Sequence, residues 1–203
     1  MEFASKEEKY FYWWLEELIK HKLVTSFIYQ PKPFILSETI NLSYKKALAT
    51  KTKIINVALL QPHEYQADFM FFWNPKVLKI TGKMYVYLNE VLLTSFKQYP
   101  FIANYSKKKD CFYSLIDVKG TYNQNDAWRR FSIEQKWVYQ NFNIYVQKII
   151  THPHVTKKGD LIPKNALFPN TFVPDRFLTT DKSKKKRKIR YSSASIKEYL
   201  KNL

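Results

Sequence analysis

An aspartate and a lysine stand two residues apart at the end of an apolar run, in the segment 116–120 (Ile-Asp-Val-Lys-Gly). If that run is a β-strand, Asp117 and Lys119 project from the same face, because side chains alternate along a strand. Asp68, inside another apolar run, is a second acid that could join them. Carboxylates supply the hard oxygen ligands that Mg²⁺ prefers, and a lysine supplies a point charge for a phosphate. The spacing predicts a site that binds a divalent metal ion and cuts phosphodiesters.

The short pattern acid-x-lysine is weak evidence when it stands alone. The chain also has it at Glu7-Glu8-Lys9 and at Glu134-Gln135-Lys136, where helices are predicted and such charges usually form a solvated face. Only the copy at 117–119 ends an apolar strand and precedes a glycine. The alternative interpretation of that copy is an ion pair at a strand end, an arrangement with little energetic effect.

Composition narrows the class of protein. The 203 residues are 45% hydrophobic and 17% aromatic, so most of the chain is expected to fold as one domain. The net charge of +17 favours a polyanionic partner, either nucleic acid or an anionic membrane. No apolar run approaches the roughly 20 residues needed to span a bilayer, so no membrane partner is predicted. Three scattered glycines do not make a nucleotide-binding loop, and the single Cys111 fits a reducing cytoplasm.

The elements that must position these residues follow from periodicity. Ser5 and Glu8 have the spacing of a capping box, and a helix is predicted over 6–22. A strand over 112–119, a helix over 123–142 and a strand over 143–150 read as a βαβ crossover. Further strands are predicted at 23–29, 34–36, 53–60, 65–73 and 84–88, and short helices at 90–98 and 195–203.

With these motifs in order, the chain resembles phage and prophage members of the PD-(D/E)xK nuclease superfamily, relatives of Holliday-junction resolvases and restriction endonucleases. The resemblance covers residues 5 to about 150 and is carried by six segments: 5–23, 30–36, 65–69, 115–120, 131–136 and 143–150. It implies an α/β fold of restriction-endonuclease-like type, with a mixed central sheet flanked by helices. Residues 37–60 and 76–111 then read as insertions within a core of 1–152, followed by an irregular extension over 153–180 and a basic tail over 181–203.

The resemblance also implies roles for single residues. Asp68 and Asp117 would be metal-binding carboxylates, with the Val118 carbonyl as a further oxygen ligand for Mg²⁺ or Mn²⁺. Lys119 would orient or activate the attacking water. Glu8 would complete the acidic cluster from the first helix, although a capping role alone is an open alternative and Glu7 lies on nearly the same helix face.

Basic residues are candidate DNA contacts, in competition with ordinary solvated surface. They are Arg129, Arg130, Lys136, Lys184, Lys185, Lys186 and Arg187. The expected substrate is DNA, preferably branched, and a homodimer is expected because a resolvase makes paired cuts. His152 and His154 flank a proline after a strand and are expected to be loop surface. Two other functions stay open: a restriction, packaging or transposition endonuclease of the same fold, and a non-catalytic basic nucleic-acid-binding or virion protein.

Overall fold

The structure is a computed structural model that describes residues 2–75, 87–88, 91–96, 99–122, 126–179 and 187–201. Over these residues the fold is mixed α/β, with one seven-stranded mixed sheet, three two-stranded ribbons and five helices. The expected α/β class with a mixed sheet is therefore confirmed. No helix of the described residues is long and apolar enough to cross a bilayer.

Helix α1 (Lys6–Lys20) begins where the capping box predicts it. Ser5 Oγ accepts the backbone N–H of Glu8 at 3.1 Å, which satisfies one of the free donors in the first turn. The helix buries one stripe against the sheet, and Phe11, Leu15 and Leu18 are inaccessible to solvent. Helical periodicity and the N-cap thus act together to place the first helix.

The large sheet is built around one central strand. Its strands lie in the order β1 (Val24–Tyr29), β6 (Phe69–Trp73), β10 (Cys111–Val118), β9 (Tyr99–Ser106), β8 (Val91–Phe96) and β7 (Tyr87–Leu88), with β11 (Val146–Ile149) also beside β10. The pair β10–β11 is parallel and the other pairs are antiparallel. Helix α2 (Ala127–Phe142) joins β10 to β11, as the predicted βαβ crossover requires.

Strand β10 has two neighbours along one of its edges, and the sheet forks where these neighbours, β9 and β11, diverge. β6 pairs with it along one edge, whereas β9 takes the first half and β11 the second half of the other edge. Asn104 closes the fork, because its side chain donates to the Tyr145 carbonyl at 2.9 Å and accepts the Tyr145 N–H at 2.8 Å. A buried amide side chain therefore replaces the backbone pairing that the diverging strands cannot make.

The C-terminal segment contributes to the same core as α1. Trp14 stacks between Phe101 and Phe172, with ring centroids 5.5 and 5.4 Å away. The short helices α3 (Leu167–Asn170), α4 (Asp175–Thr179) and α5 (Ile196–Lys201) bury Phe168, Phe177 and Tyr199 in this cluster, among others. The segment after residue 153 is thus packed into the core that supports β10.

Three ribbons complete the strands: β2 (Phe34–Ser37) with β5 (His63–Tyr65), β3 (Ile40–Ala47) with β4 (Thr52–Leu60), and β12 (His154–Val155) with β13 (Leu161–Ile162). β3 and the sheet strand β9 were not predicted. The strand predicted over 65–73 is divided, because pairing lapses between Tyr65 and Phe69.

One predicted helix is wrong. Residues 91–96 form strand β8, paired with β9, where a helix over 90–98 was expected. A short apolar run does not distinguish helical periodicity from strand periodicity. Hydrogen bonding to a neighbouring strand decides which of the two structures forms. Of the strand predicted over 84–88, residues 84–86 lie outside the described residues, as do the first residues of the helix predicted from 123.

Candidate active site

Asp117 and Lys119 lie on one face at the end of β10, as strand alternation predicts. The Asp117 side chain is buried, with the residue 3% exposed, and its Oδ1 forms an ion pair with Lys119 Nζ. The backbone of β10 is held here by β11, where the Lys119 N–H donates to the Ile149 carbonyl at 2.8 Å. The parallel strand β11, which follows the crossover helix α2, therefore fixes the backbone that carries the Asp117–Lys119 ion pair.

Asp68 lies directly beside this pair, one residue before β6 begins. Its backbone N–H donates to the Ile116 carbonyl at 3.0 Å, and its Oδ2 accepts the Val118 N–H at 2.6 Å. The carboxylate thus takes the place of the next ladder bond. Because the N–H and C=O of a strand residue point to the same side, the Val118 carbonyl also faces the edge that Asp68 occupies.

Tyr65 is a member of the site that the sequence reasoning missed. Its hydroxyl donates to Asp117 Oδ2 at 2.8 Å, and the ring is 4% exposed. Burial first, and then the Asp117 charge, raise the pKa of Tyr65, so the hydroxyl remains a donor. The only signal in the sequence was a tyrosine three residues before Asp68.

Glu8 is buried and accepts three hydrogen bonds. They come from Ser5 Oγ at 2.9 Å, the Ala4 N–H at 3.3 Å and the Tyr29 hydroxyl at 2.7 Å. The capping interaction is therefore present. Glu8 is also near enough for its charge to contribute to the raised pKa values of Asp68 and Asp117. Both interpretations of this residue have structural support.

The electrostatics of the site reflect crowded acids. Burial, then repulsion from Asp117, raises the pKa of Asp68 to about 7, while the Val118 N–H opposes the rise. Burial also raises the pKa of Asp117, against the lowering effects of Lys119 and the Tyr65 hydroxyl. Acids held together in this way favour a proton or a cation between them.

The donor set suits a hard divalent cation through two carboxylates and a carbonyl. Asp117 Oδ1 is buried and contacts Lys119 Nζ, and a carboxylate oxygen has a second lone pair with which it could coordinate an ion. Within the residues the structure describes, no three histidine, cysteine or acidic side chains are arranged as a metal site. The fit is therefore to an ion that takes few protein ligands and keeps water and substrate oxygens, as Mg²⁺ does.

A cleft of about 580 Å³ opens beside Lys119. Its lining includes Glu7, Gly120, Arg130 and His152. His152 was expected on a loop surface, but it packs against Tyr10 and Phe177, with ring centroids 5.6 and 5.7 Å away. Burial lowers the pKa of His152, which favours a neutral imidazole.

Lys148 is a second cation that sequence reasoning missed. It is the register partner of Asp117 in β11 and therefore lies on the same face of the sheet. Its Nζ sits 4.1 Å from the centre of the Trp128 ring, and burial lowers the pKa of this lysine. The sequence signal for Lys148 was the alternation within the strand predicted over 143–150, where Val146 and Lys148 lie two residues apart.

The predicted DNA contacts are dispersed around this centre. Arg130 lines the cleft, Arg129 is exposed and 3.8 Å from Asp126, and Lys136 is exposed on α2. Arg187 lies 4.2 Å over the Phe177 ring, and its charge contributes to the lowered pKa of His152. Lys184, Lys185 and Lys186 lie outside the described residues.

No protein-family model, curated protein or solved structure matches the chain.

Proposed function

We propose that the protein is a divalent-metal-dependent DNA endonuclease with a restriction-endonuclease-like fold, of the PD-(D/E)xK type. The observation that carries the proposal is the meeting of Asp68 with the Asp117–Lys119 pair at the end of β10. The cleft beside Lys119 and the net charge of +17 support a polyanionic substrate.

Each residue has a role in this proposal. Asp68, Asp117 and the Val118 carbonyl would hold Mg²⁺ or Mn²⁺, and Glu8 would add negative charge from α1. The ion would supply an activated water and stabilise charge on the phosphate. Lys119 would orient that water and stabilise the transition-state charge, and Tyr65 would hold Asp117 in place through its hydrogen bond.

The substrate and assembly follow from the resemblance. Branched DNA is the preferred substrate, and a homodimer would provide the two active centres that paired cuts require. Action on DNA in the cytoplasm of a phage-infected or prophage-bearing cell fits this function. A phage packaging, restriction or transposition endonuclease of the same fold would use the same residues and differ in its substrate.

The decisive experiment compares K119A with K157A, which removes an exposed lysine elsewhere. Purified proteins are incubated with linear, flapped and four-way DNA in Mg²⁺ or Mn²⁺. We expect wild type and K157A to cut the four-way junction best, and K119A to be slower by about 100-fold or more. Full metal-dependent cleavage by K119A would refute the mechanism, and preference for linear duplex would favour the restriction-like alternative.

A non-catalytic DNA-binding or virion protein is the second candidate. It is favoured by one observation: Lys119 already neutralises Asp117 through the ion pair. This candidate predicts DNA binding without cleavage in either metal ion, and no change in melting temperature when Mg²⁺ or Mn²⁺ is added.

A further inference from the structure

Residues 40–60, here called the lysine arm, form a two-stranded ribbon that is exposed along its length. Every residue of β3 and every residue of β4 except Ile55 is exposed to solvent. The pairing runs from Ile40–Leu60 at the base to Ala47–Thr52 at the tip. Eight residues of strand span about 27 Å. A ribbon of this length is marginally stable alone in water, so it is suited to a partner.

The charge of the arm identifies the chemistry of that partner. Between residues 39 and 60 the chain has four lysines and no aspartate or glutamate. All four lie toward the tip, at Lys45, Lys46, Lys51 and Lys53. Lys46 is directly opposite Lys53 in the register, and like charges in that position destabilise a ribbon. An anion between them removes this repulsion.

We propose that the lysine arm is a second DNA-binding surface, which contacts duplex phosphates away from the cleft. A two-stranded ribbon has the dimensions that the major groove admits. Lys45 and Lys46 point to opposite faces, so the tip presents cations to both sides of a groove. The proposal concerns binding and does not depend on cleavage at Asp117.

The arm is joined to the candidate site through a second two-stranded ribbon, after a short unpaired step at residues 38–39 and 61–62. Its strands continue into β2 and β5, which pair from Ser37–His63 to Phe34–Tyr65, and Tyr65 binds Asp117. The thirteen residues from Lys53 to Tyr65 span at most about 40 Å of strand, which is close to one turn of duplex DNA. The arm thus extends the surface available to DNA by about one helical turn.

A second copy of the chain is the competing occupant. Alternation places Ile40, Leu42, Tyr44, Ile55, Val57 and Leu60 on one face of the arm, which also carries Lys46 and Lys53 at the tip. Burying these faces against one another would bring together two segments that each carry four lysines and no acid. That repulsion disfavours self-association and favours a polyanion.

The test is fluorescence anisotropy of the full-length protein with a labelled 25-base-pair duplex in EDTA, which prevents cleavage. The variant K45Q/K46Q/K51Q/K53Q is compared with K157Q/K158Q/K164Q/K197Q, which loses the same charge from exposed sites outside the arm. We expect the arm variant to bind about tenfold or more weakly at 0.1 M salt. The slope of log affinity against log salt should fall by about 2–4, because each lost phosphate contact removes nearly one unit.

Equal losses in the two variants would overturn the proposal, since net charge alone would then explain them. It is also overturned if the arm variant binds as wild type does while L42T/V57T converts a dimer to a monomer in sedimentation. A protein that binds DNA through the arm but cuts nothing would refute the proposed nuclease and leave this inference standing. Circular dichroism confirms that each variant is folded.

Discussion

Asp68 reaches across the end of strand β6 and accepts the backbone N–H of Val118 at 2.6 Å, so the peptide next to Asp117 is held by a carboxylate. This bond places two acids side by side without a break in the sheet. The arrangement is electrostatically costly in the absence of a cation, because burial and repulsion raise the pKa of both acids. Stability and metal binding are therefore linked through Asp68.

D68N should stabilise the metal-free protein at neutral pH and remove cleavage. The pKa of Asp68 is about 7 in the folded protein, above its unfolded value, so the folded state holds the extra proton. Wild-type stability should therefore fall as pH rises from about 4 to 7, and D68N should be about 1–2 kcal/mol more stable above pH 7. Urea unfolding in EDTA at pH 4, 6 and 8 measures this difference.

The same experiment with Mg²⁺ provides the control. Wild type should gain stability when the ion is added, whereas D68N should gain little, because it lacks one carboxylate ligand. A D68N protein that is less stable than wild type at pH 8 in EDTA would contradict the raised pKa.

Y65F should leave the Asp117 carboxylate less firmly positioned. The variant loses the 2.8 Å hydrogen bond to Asp117 Oδ2, which lowers the pKa of that acid in the native protein. We expect a loss of about 1–2 kcal/mol in the free energy of unfolding. The acid limb of the pH–rate profile should move upward by roughly half a pH unit to one unit. Y113F, which alters a buried tyrosine with no bond to a carboxylate, should leave the profile unchanged.

E8Q should separate capping from a role in metal binding. Glutamine also serves at this position of a capping box, so the free energy of unfolding should change by less than about 1 kcal/mol. Loss of the Glu8 charge should weaken the apparent Mg²⁺ affinity in cleavage assays by about tenfold. E16Q, the same charge change on α1 at a surface ion pair, is the control. If E7Q weakens the apparent Mg²⁺ affinity and E8Q does not, the acid that contributes to metal binding is Glu7 and not Glu8.

N104A should destabilise the fork in the sheet. Asn104 is buried and satisfies both the N–H and the carbonyl of Tyr145. Its removal leaves two backbone groups without partners, so we expect a cost of about 2–4 kcal/mol in urea unfolding. N141A is the matched control, because Asn141 is exposed and makes a single 3.3 Å bond to Leu36; it should cost less than about 0.5 kcal/mol. Equal costs would show that the fork does not depend on this amide.

The sequence predicted the elements whose signals are local. The capping box and apolar stripe placed α1, and the apolar run before Gly120 placed β10 and the pair that ends it. Residues 91–96 were misassigned, because their strand state depends on pairing with β9. Tyr65 and Lys148 were missed, and His152 was assigned to a loop surface, for a related reason: each reaches the site through tertiary packing. The local signals at these positions do not show which residues they contact, because the partner strands and helices are far away in the sequence.

Trp14 donates from its indole to the Thr171 hydroxyl at 3.1 Å, and its ring is covered by Phe172. Helix α1 is thus completed by residues that are synthesised 157 positions later. At synthesis rates of about 5–20 residues per second, these partners are made roughly 8–30 s after α1. The carboxylate cluster lies on this core, so a nascent chain would complete the proposed nuclease site only when synthesis has passed Phe172.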